Sequence, residues 1–110
     1  MTKTLLKKAS NQLLLAVAQR FRALGEVNRL RIIQALQGGE KNVTDLVKAT
    51  GLTQPNVSRH LNVLLIAGLI GRRKDGLNVL YRVVDKGLAD ICAIVCKSAS
   101  CCAKELAQRM

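Results

Sequence analysis

The chain has 110 residues, with 18 lysines and arginines against seven aspartates and glutamates, which gives a formal net charge of +11. This length accommodates one domain, residues 1–110, and excludes two independent cores. Positive charge spread along the whole chain favours a polyanionic partner, most simply nucleic acid. No apolar run approaches the roughly 20 residues of a membrane span, and no signal-type segment follows Met1. We therefore expect a cytoplasmic protein with no membrane partner.

The scarcity of aromatic residues narrows the class of nucleic acid. Phe21 and Tyr81 are the only two aromatic side chains. Because proteins that bind single strands stack bases on aromatic side chains, this composition favours duplex DNA over RNA or single-stranded DNA.

Three helices are predicted in the first half of the chain. Apolar residues recur at helical spacing over residues 1–24, over residues 28–36, and between Asn42 and Gly51. Glycine follows each segment, as is common where helices end. The third segment also opens with a capping pattern, Asn42 followed three residues later by Asp45.

The fourth predicted helix, about residues 54–67, has the character of a recognition helix. Thr53 is suited to cap it, and Pro55 lies in the first turn, where a missing N–H costs nothing. Its apolar face contains Val57, Leu61, Leu64 and Leu65, and its polar side contains Gln54, Asn56, Arg59 and Asn62. One face is therefore able to pack while the other contacts a ligand.

A β-hairpin, about residues 69–84, follows this helix. Asp75 and Gly76 form a hairpin-turn signal between two strand-like runs. On the return strand Val79, Tyr81 and Val83 alternate with Leu80 and Arg82. Alternation predicts that one face packs and that Arg82 points away from it.

The last predicted helix covers about residues 86–104 and begins after Asp85, a residue type that caps helices. Its apolar stripe contains Leu88, Cys92, Val95 and Cys96. The first and last helices carry more apolar surface than the short elements between them are able to cover. We therefore expect a homodimer that pairs these terminal helices.

The predicted fold is mainly α with a β-hairpin wing, in the order α-α-α-α-β-β-α. The third and fourth helices form a helix-turn-helix, and the hairpin supplies the wing. Such a fold inserts its recognition helix into the major groove of DNA, and a dimer presents two such helices to a palindromic site.

Three blocks of sequence together resemble the ArsR/SmtB family of winged-helix repressors. They are FRALGEVNRLRII, TGLTQPNVSRHLNVLLIAGLI and RRKDGLNVLYRV, within about residues 18–85. The resemblance implies a bacterial dimer that occupies double-stranded operator DNA and blocks transcription. It also implies release from DNA when a small inducer binds.

The resemblance also indicates which residues contact DNA. On the recognition helix these are Gln54, Asn56, Ser58 and Arg59, with His60 at the helix edge; on the wing they are Arg72, Arg73, Lys74 and Arg82. Glutamine and asparagine pair with adenine and arginine with guanine, whereas wing cations contact the backbone or minor groove. His60 is better explained as a support of the helix, and Ser58 suits either a supporting or a contacting role.

Two inducer sites of the family are missing from this sequence. In place of a cysteine pair in the third helix stands Asn42-Val43-Thr44-Asp45. The carboxylate and histidine site of the last helix requires histidines there, and His60 is the only histidine in the chain. Sensing of zinc, cobalt or nickel through that site is therefore not expected.

The cysteines of the last helix, Cys92, Cys96, Cys101 and Cys102, offer a different inducer site. In a reducing compartment they are not structural disulfides, and soft thiolates select soft ions. Arsenite or another thiophilic metal ion is the expected inducer, bound by Cys96, Cys101 and Cys102, with Cys92 as a substitute. In one continuous helix Cys101 and Cys102 lie about 140° and about 240° round from Cys96. Convergence thus requires a break near residues 98–100.

Other interpretations of the cysteines stay open. They suit a thiol redox or persulfide switch, since Lys97 and Lys104 are able to lower a nearby thiol pKa. They also suit simple packing in a repressor that senses no metal, or a metal buffer. An enzyme is not expected, because the sequence contains no Ser-His-acid set or phosphate loop. No cofactor is expected to be needed for DNA binding.

Overall fold

A mostly helical fold with one two-stranded hairpin is seen in the computed structural model, which describes residues 6–109 and side chains as far as Cys101. In chain order the elements are α1 (Asn11–Leu24), α2 (Val27–Leu36), α3 (Val43–Thr50), α4 (Gln54–Ile66), β1 (Ile70–Asp75), β2 (Asn78–Val83) and α5 (Leu88–Arg109). The predicted order of helices and strands is confirmed.

Side-chain caps determine where helices α1 to α4 begin. Ser10, Glu26, Asn42 and Thr53 each accept a hydrogen bond from the backbone N–H three residues further on. Each bond satisfies an N–H group that lacks a partner inside the helix. Asn42 and Asp45 form the predicted capping box. The predicted starts of α3 and α4 are therefore confirmed.

The prediction of one helix over residues 1–24 is wrong in the part of it that the structure describes. Residues 9 and 10 are not helical, and α1 begins at Asn11. The hydroxyl of Ser10 accepts a hydrogen bond from the N–H of Leu13 at 3.1 Å. The helical spacing of leucines continues on both sides of Ser10, so the spacing alone does not reveal that a helix begins here. Residues 1–5 of the predicted helix lie outside the described residues.

The hydrophobic core lies beneath α4. Val57, Leu61 and Leu64, which the spacing predicts on the apolar face, are each at most 1% exposed. They pack with apolar residues of the other elements, among them Ile32, Ile33, Leu36, Leu46, Leu69, Ile70 and Leu88. Burying a leucine side chain stabilises a fold by about 1.5–3 kcal/mol. This packing holds α4 in one orientation and leaves its other side for contacts.

The hairpin closes with a two-residue turn. Asp75 pairs with Asn78, so Gly76 and Leu77 form the loop. The φ angle of Gly76 is +63°, a conformation that glycine adopts without steric cost. A glycine at the first loop position is typical of the type II′ turn, whose twist matches that of paired strands.

Strand β2 packs on the core through alternate residues, as its sequence pattern predicts. Tyr81 is 9% exposed and Val79 and Val83 pack against the core, whereas Arg82 is exposed. On the other edge of β2, Lys41 exchanges two backbone hydrogen bonds with Tyr81, at 3.1 and 2.9 Å. The wing is therefore attached to the loop before α3 as well as to α4.

Helix α5 begins at Leu88, two residues later than predicted. Asp85 does not occupy the predicted capping position. Its carboxylate accepts a hydrogen bond from the N–H of Gly87 at 2.9 Å, ahead of the helix, and another from Nε of Arg20 in α1 at 3.3 Å. Asp85 thus connects the end of the wing to α1.

Apolar side chains on α1 and α5 remain exposed in the single chain. Those at least 40% exposed are Leu13, Leu14, Leu15, Phe21, Ile91, Ile94 and Val95. A groove of about 180 Å³ runs between the two helices, lined in part by Val17, Phe21, Leu24 and Leu88. These are the faces through which dimerisation is predicted. None of the helices in the described part of the chain has the length and apolar character to cross a membrane.

Candidate nucleic-acid interface

The outward side of α4 carries most of the residues predicted to contact DNA. Gln54, Ser58, Arg59 and Asn62 are exposed, and Asn56 is half-buried. Nη2 of Arg59 donates a hydrogen bond to Oδ1 of Asn56 at 2.8 Å. The amide NH₂ of Asn56 and the other N–H groups of Arg59 are donors of the kind that read base edges. The structure therefore brings these predicted residues onto one surface.

His60 differs from the other candidates on α4, because its side chain lies in the interior. It is 7% exposed, with Nε2 3.8 Å from Oε2 of Glu26 and Nδ1 3.5 Å from Nη1 of Arg29. Burial lowers the pKa of His60, and the charge of Glu26 opposes that shift. The neutral ring is therefore favoured. In the structure His60 packs between α4 and α2. It is therefore not among the residues of α4 that are exposed to contact a DNA groove.

The wing carries its basic residues on two faces. Successive residues of a strand point to opposite sides, so Arg72 and Lys74 share one face and Arg73 lies on the other. Arg82 pairs with Gly71 and therefore shares the face of Arg73. All four basic side chains are exposed. The two faces nevertheless differ, because the face with Arg73 and Arg82 contacts an acidic residue.

That acidic residue is Glu40, which the sequence interpretation does not include. Nε and Nη2 of Arg73 donate to its two carboxylate oxygens, each at 2.8 Å. Nη1 of Arg82 lies 4.0 Å from Oε2 of Glu40. The hydrogen bond from Arg73 lowers the pKa of Glu40, and the same bond raises the pKa of Arg73. Glu40 and Arg73 are 33 positions apart, and no local pattern marks such a contact.

The α5 cysteines whose side chains the structure describes, Cys92, Cys96 and Cys101, are not gathered into one site within the chain. Cys96 and Cys101 are exposed, and Cys92 is half-buried. Helix α5 continues through residues 98–100, so the break that a three-thiolate site within one chain requires is absent. Cys101 consequently lies about 140° round the helix from Cys96. Among the residues whose side chains are described, which exclude Cys102, no group of three possible metal ligands is found.

Cys92 is the least suited of the described cysteines to bind a metal ion or to react. Burial raises the pKa of its thiol, and the neighbouring Cys96 raises it further. Its side chain packs against the hydrophobic core. Because the thiolate is the nucleophile and the metal ligand, a raised pKa disfavours both roles. The structure therefore favours packing as the role of Cys92.

Comparison with known proteins identifies the family. The model of the arsR family of bacterial regulatory proteins matches residues 26–71, from α2 to the start of β1. An uncharacterized HTH-type transcriptional regulator of Methanocaldococcus jannaschii is 34% identical over 79 residues, which cover 71% of this chain and 89% of that protein. The chain belongs to the ArsR family. The family model describes regulatory proteins and this relative is a transcriptional regulator, in agreement with the prediction of a regulator and not of an enzyme.

Further relatives of this ArsR-family chain agree with its fold. A probable mercury resistance operon repressor of Streptomyces lividans is 38% identical over 74 residues, 67% of this chain, and the chain spans 59% of that protein's length. The solution structure of a homodimeric winged helix-turn-helix DNA-binding domain from Mycobacterium bovis, a possible ArsR-family regulator, matches with a TM-score of 0.75. It is 31% identical, and the match covers 84% of this chain and 89% of that one. The predicted winged helix-turn-helix is confirmed.

Proposed function

We propose that this ArsR-family chain is a homodimeric repressor that binds duplex operator DNA through α4 and the wing. The supporting observation is the exposed polar side of α4, with Gln54, Ser58 and Arg59, beside a basic hairpin. Val57 and Leu61 anchor the opposite side of α4 in the core, so these polar groups are presented in a fixed orientation. A rigid recognition element of this kind reads base edges at low entropic cost.

Dimerisation follows from the uncovered faces of α1 and α5. Their exposed leucines, isoleucines and Phe21 are large apolar side chains on two adjacent helices, and an exposed apolar surface of this kind often marks an interface. The Mycobacterium bovis relative is homodimeric. A two-fold dimer places two copies of α4 on one face, so the preferred DNA site is palindromic.

The test of DNA binding is fluorescence anisotropy on the promoter fragment of the protein's own gene, with scrambled DNA as reference. Arg59→Gln should weaken specific binding about tenfold or more, because a bidentate arginine–guanine contact is worth about 1–3 kcal/mol. Lys86→Gln removes the same charge at an exposed position in the turn before α5 and should change specificity little. Equal affinity of the unmodified protein for both DNAs would contradict the proposal.

For the inducer, we propose a thiophilic ion, with arsenite as the first candidate, bound by the α5 cysteines. Because Cys96 and Cys101 lie on different sides of an unbroken helix, a three-thiolate site requires donors from both subunits. Soft thiolate ligands suit arsenite, cadmium or cuprous copper. Arsenite should release the dimer from DNA, and Cys96→Ser with Cys101→Ser and Cys102→Ser should abolish release without weakening DNA binding. An unchanged arsenite response would reject this site.

A thiol redox or persulfide switch is the second candidate, favoured by the exposure of Cys96 and Cys101. Exposed thiols react with oxidants and polysulfides more readily than buried ones. Release from DNA by polysulfide and not by arsenite would select this mechanism. Release by neither would leave the cysteines as packing residues of a repressor that senses no metal.

A further inference from the structure

Glu40 and Arg73 of the wing form a bidentate ion pair, to which we give the name clamp. Both carboxylate oxygens accept hydrogen bonds from one guanidinium, that of Arg73, at 2.8 Å each. Exposed ion pairs usually contribute little to stability, but bidentate arginine–carboxylate pairs are the stronger and more specific class. The second arginine on this face, Arg82, lies 4.0 Å from the same carboxylate. One acidic side chain thus contacts two wing arginines.

The backbone fixes Glu40 in this position. The next residue, Lys41, exchanges two hydrogen bonds with Tyr81, and Asn42 caps α3. Tyr81 is buried and precedes Arg82 on β2. The Glu40 carboxylate is therefore placed over the hairpin by contacts that do not involve its own side chain, and its pairing with Arg73 adds to an existing backbone connection.

We infer that Glu40 is a positioning residue of the DNA-binding surface. It withholds Arg73 from DNA phosphates and leaves Arg72 and Lys74, which are exposed on the other face of the hairpin, as the phosphate contacts of the wing. This inference rests on the proposed DNA-binding function. The basic residues of the wing, which the sequence alone does not distinguish, therefore have different roles. Glu40 lowers the affinity of the protein for DNA of any sequence.

The salt dependence of binding separates the two classes of basic residue. Each phosphate neutralised by a cation contributes about −0.9 to the slope of log K against log salt. Arg72→Gln and Lys74→Gln should each make the slope of the dimer shallower by about 1.8, because the dimer carries two copies. Arg73→Gln should change the slope much less, since its cation is paired with a carboxylate and not with phosphate. A loss for Arg73→Gln equal to that for Arg72→Gln would overturn the inference.

Substitution of Glu40 gives the complementary result. Glu40→Gln keeps the size of the side chain and removes its charge, so Arg73 becomes available to phosphate. The slope should steepen by up to about 1.8 per dimer, and affinity for scrambled DNA should rise several-fold. In an Arg73→Gln background the same substitution should have much less effect. Asp90→Asn, an exposed position on α5, is the control for net charge, and an equal effect there would reject a local clamp.

Failure of this inference is distinguishable from failure of the proposed function. If the unmodified protein shows no preference for its own promoter, the proposed function fails. If it binds specifically but Glu40→Gln leaves salt slope and scrambled-DNA affinity unchanged, only the clamp fails. Far-ultraviolet circular dichroism and a urea melt of each variant establish that it is folded before the DNA measurements are compared.

Discussion

The imidazole of His60 in α4 lies 3.8 Å from the carboxylate of Glu26, the residue that caps α2. Arg29, which contacts the same ring at 3.5 Å, also donates from Nε to the carbonyl of Ala23 in α1 at 2.6 Å. The inner side of the candidate recognition helix is thus connected through Arg29 to the end of α1. The contacts of Arg29 therefore link the packing of α1 to that of α4.

This arrangement predicts that stability falls when the solution is acidified through the range in which histidine titrates. Burial holds the pKa of His60 below its ordinary value, so the unfolded chain takes up a proton at a higher pH than the folded chain does. Stability is therefore full above about pH 6.5 and is lost as the pH falls towards the lowered pKa. Arg29 and Arg59 reinforce the shift, and Glu26 opposes it.

The measurement is the urea midpoint of the unmodified protein and of His60→Gln at about pH 8 and about pH 5.5. The chain contains one histidine, so the substitution removes the only side chain that ordinarily titrates between these values. The unmodified protein should lose stability on acidification, and the variant should lose less. An identical loss in both proteins would show that His60 is not responsible.

Packing beneath α4 predicts that two apolar residues close together in the sequence differ greatly in their contribution to stability. Leu64 is 0% exposed and Ile66 is 65% exposed. Leu64→Ala should lower the free energy of unfolding by about 2–5 kcal/mol, because it leaves a cavity in the core. Ile66→Ala should change it by less than about 0.5 kcal/mol. Chemical denaturation measures both, and equal losses would contradict the orientation of α4.

The same comparison addresses an exposed apolar residue that the fold alone does not explain. Ile66 is exposed near the end of α4, so packing within the described part of the chain does not account for an isoleucine there. If Ile66→Ala leaves stability intact but weakens dimerisation or DNA binding, the side chain serves one of those contacts. Unchanged association and DNA binding would assign it neither role.

Local signals account for most of what the sequence predicted correctly. The caps at Asn42 and Thr53 act over three residues, and the alternation that orients Tyr81 acts within one strand, so each can be recognised in a short stretch of sequence. Contacts between distant segments cannot be recognised in this way. The contact of Glu40 with Arg73 depends on how the loop before α3 packs against the wing, and that of Glu26 with His60 depends on how α2 packs against α4. Only the structure supplies these arrangements.

The error in the first predicted helix has a local physical cause. Ser10 begins a helix even though apolar spacing continues across it, because a capping hydroxyl satisfies an N–H that spacing does not consider. In α5, a break near residues 98–100 is required only by a three-thiolate site within one chain. Serine and alanine there are compatible with an unbroken helix, and α5 has no break at these positions. The unbroken helix agrees with the prediction of one helix over about residues 86–104 and not with a three-thiolate site within one chain.

The cysteines of α5 are predicted to differ in chemical reactivity. Cys92 is half-buried with a raised pKa, whereas Cys96 and Cys101 are exposed. Alkylation by iodoacetamide proceeds through the thiolate, so Cys92 should be modified several-fold more slowly. Peptide mass spectrometry of the native protein at short reaction times measures each site, with urea-unfolded protein as the control in which the three rates converge. Faster modification of Cys92 in the native protein would contradict its packing against the core.

The uncovered faces of α1 and α5 predict that one charged substitution on them separates the subunits. Ile94 lies on α5 and is 67% exposed in the single chain, whereas Leu77 at the wing tip is fully exposed. Ile94→Glu should shift the sedimenting species from twice the 12.0 kDa of one chain to a single chain, because a carboxylate buried without a partner in an apolar interface is strongly disfavoured. Leu77→Glu, a matched change outside those faces, should leave the dimer intact. If Leu77→Glu dissociates the dimer and Ile94→Glu does not, the subunits meet through the wing and the assignment of α1 and α5 is wrong.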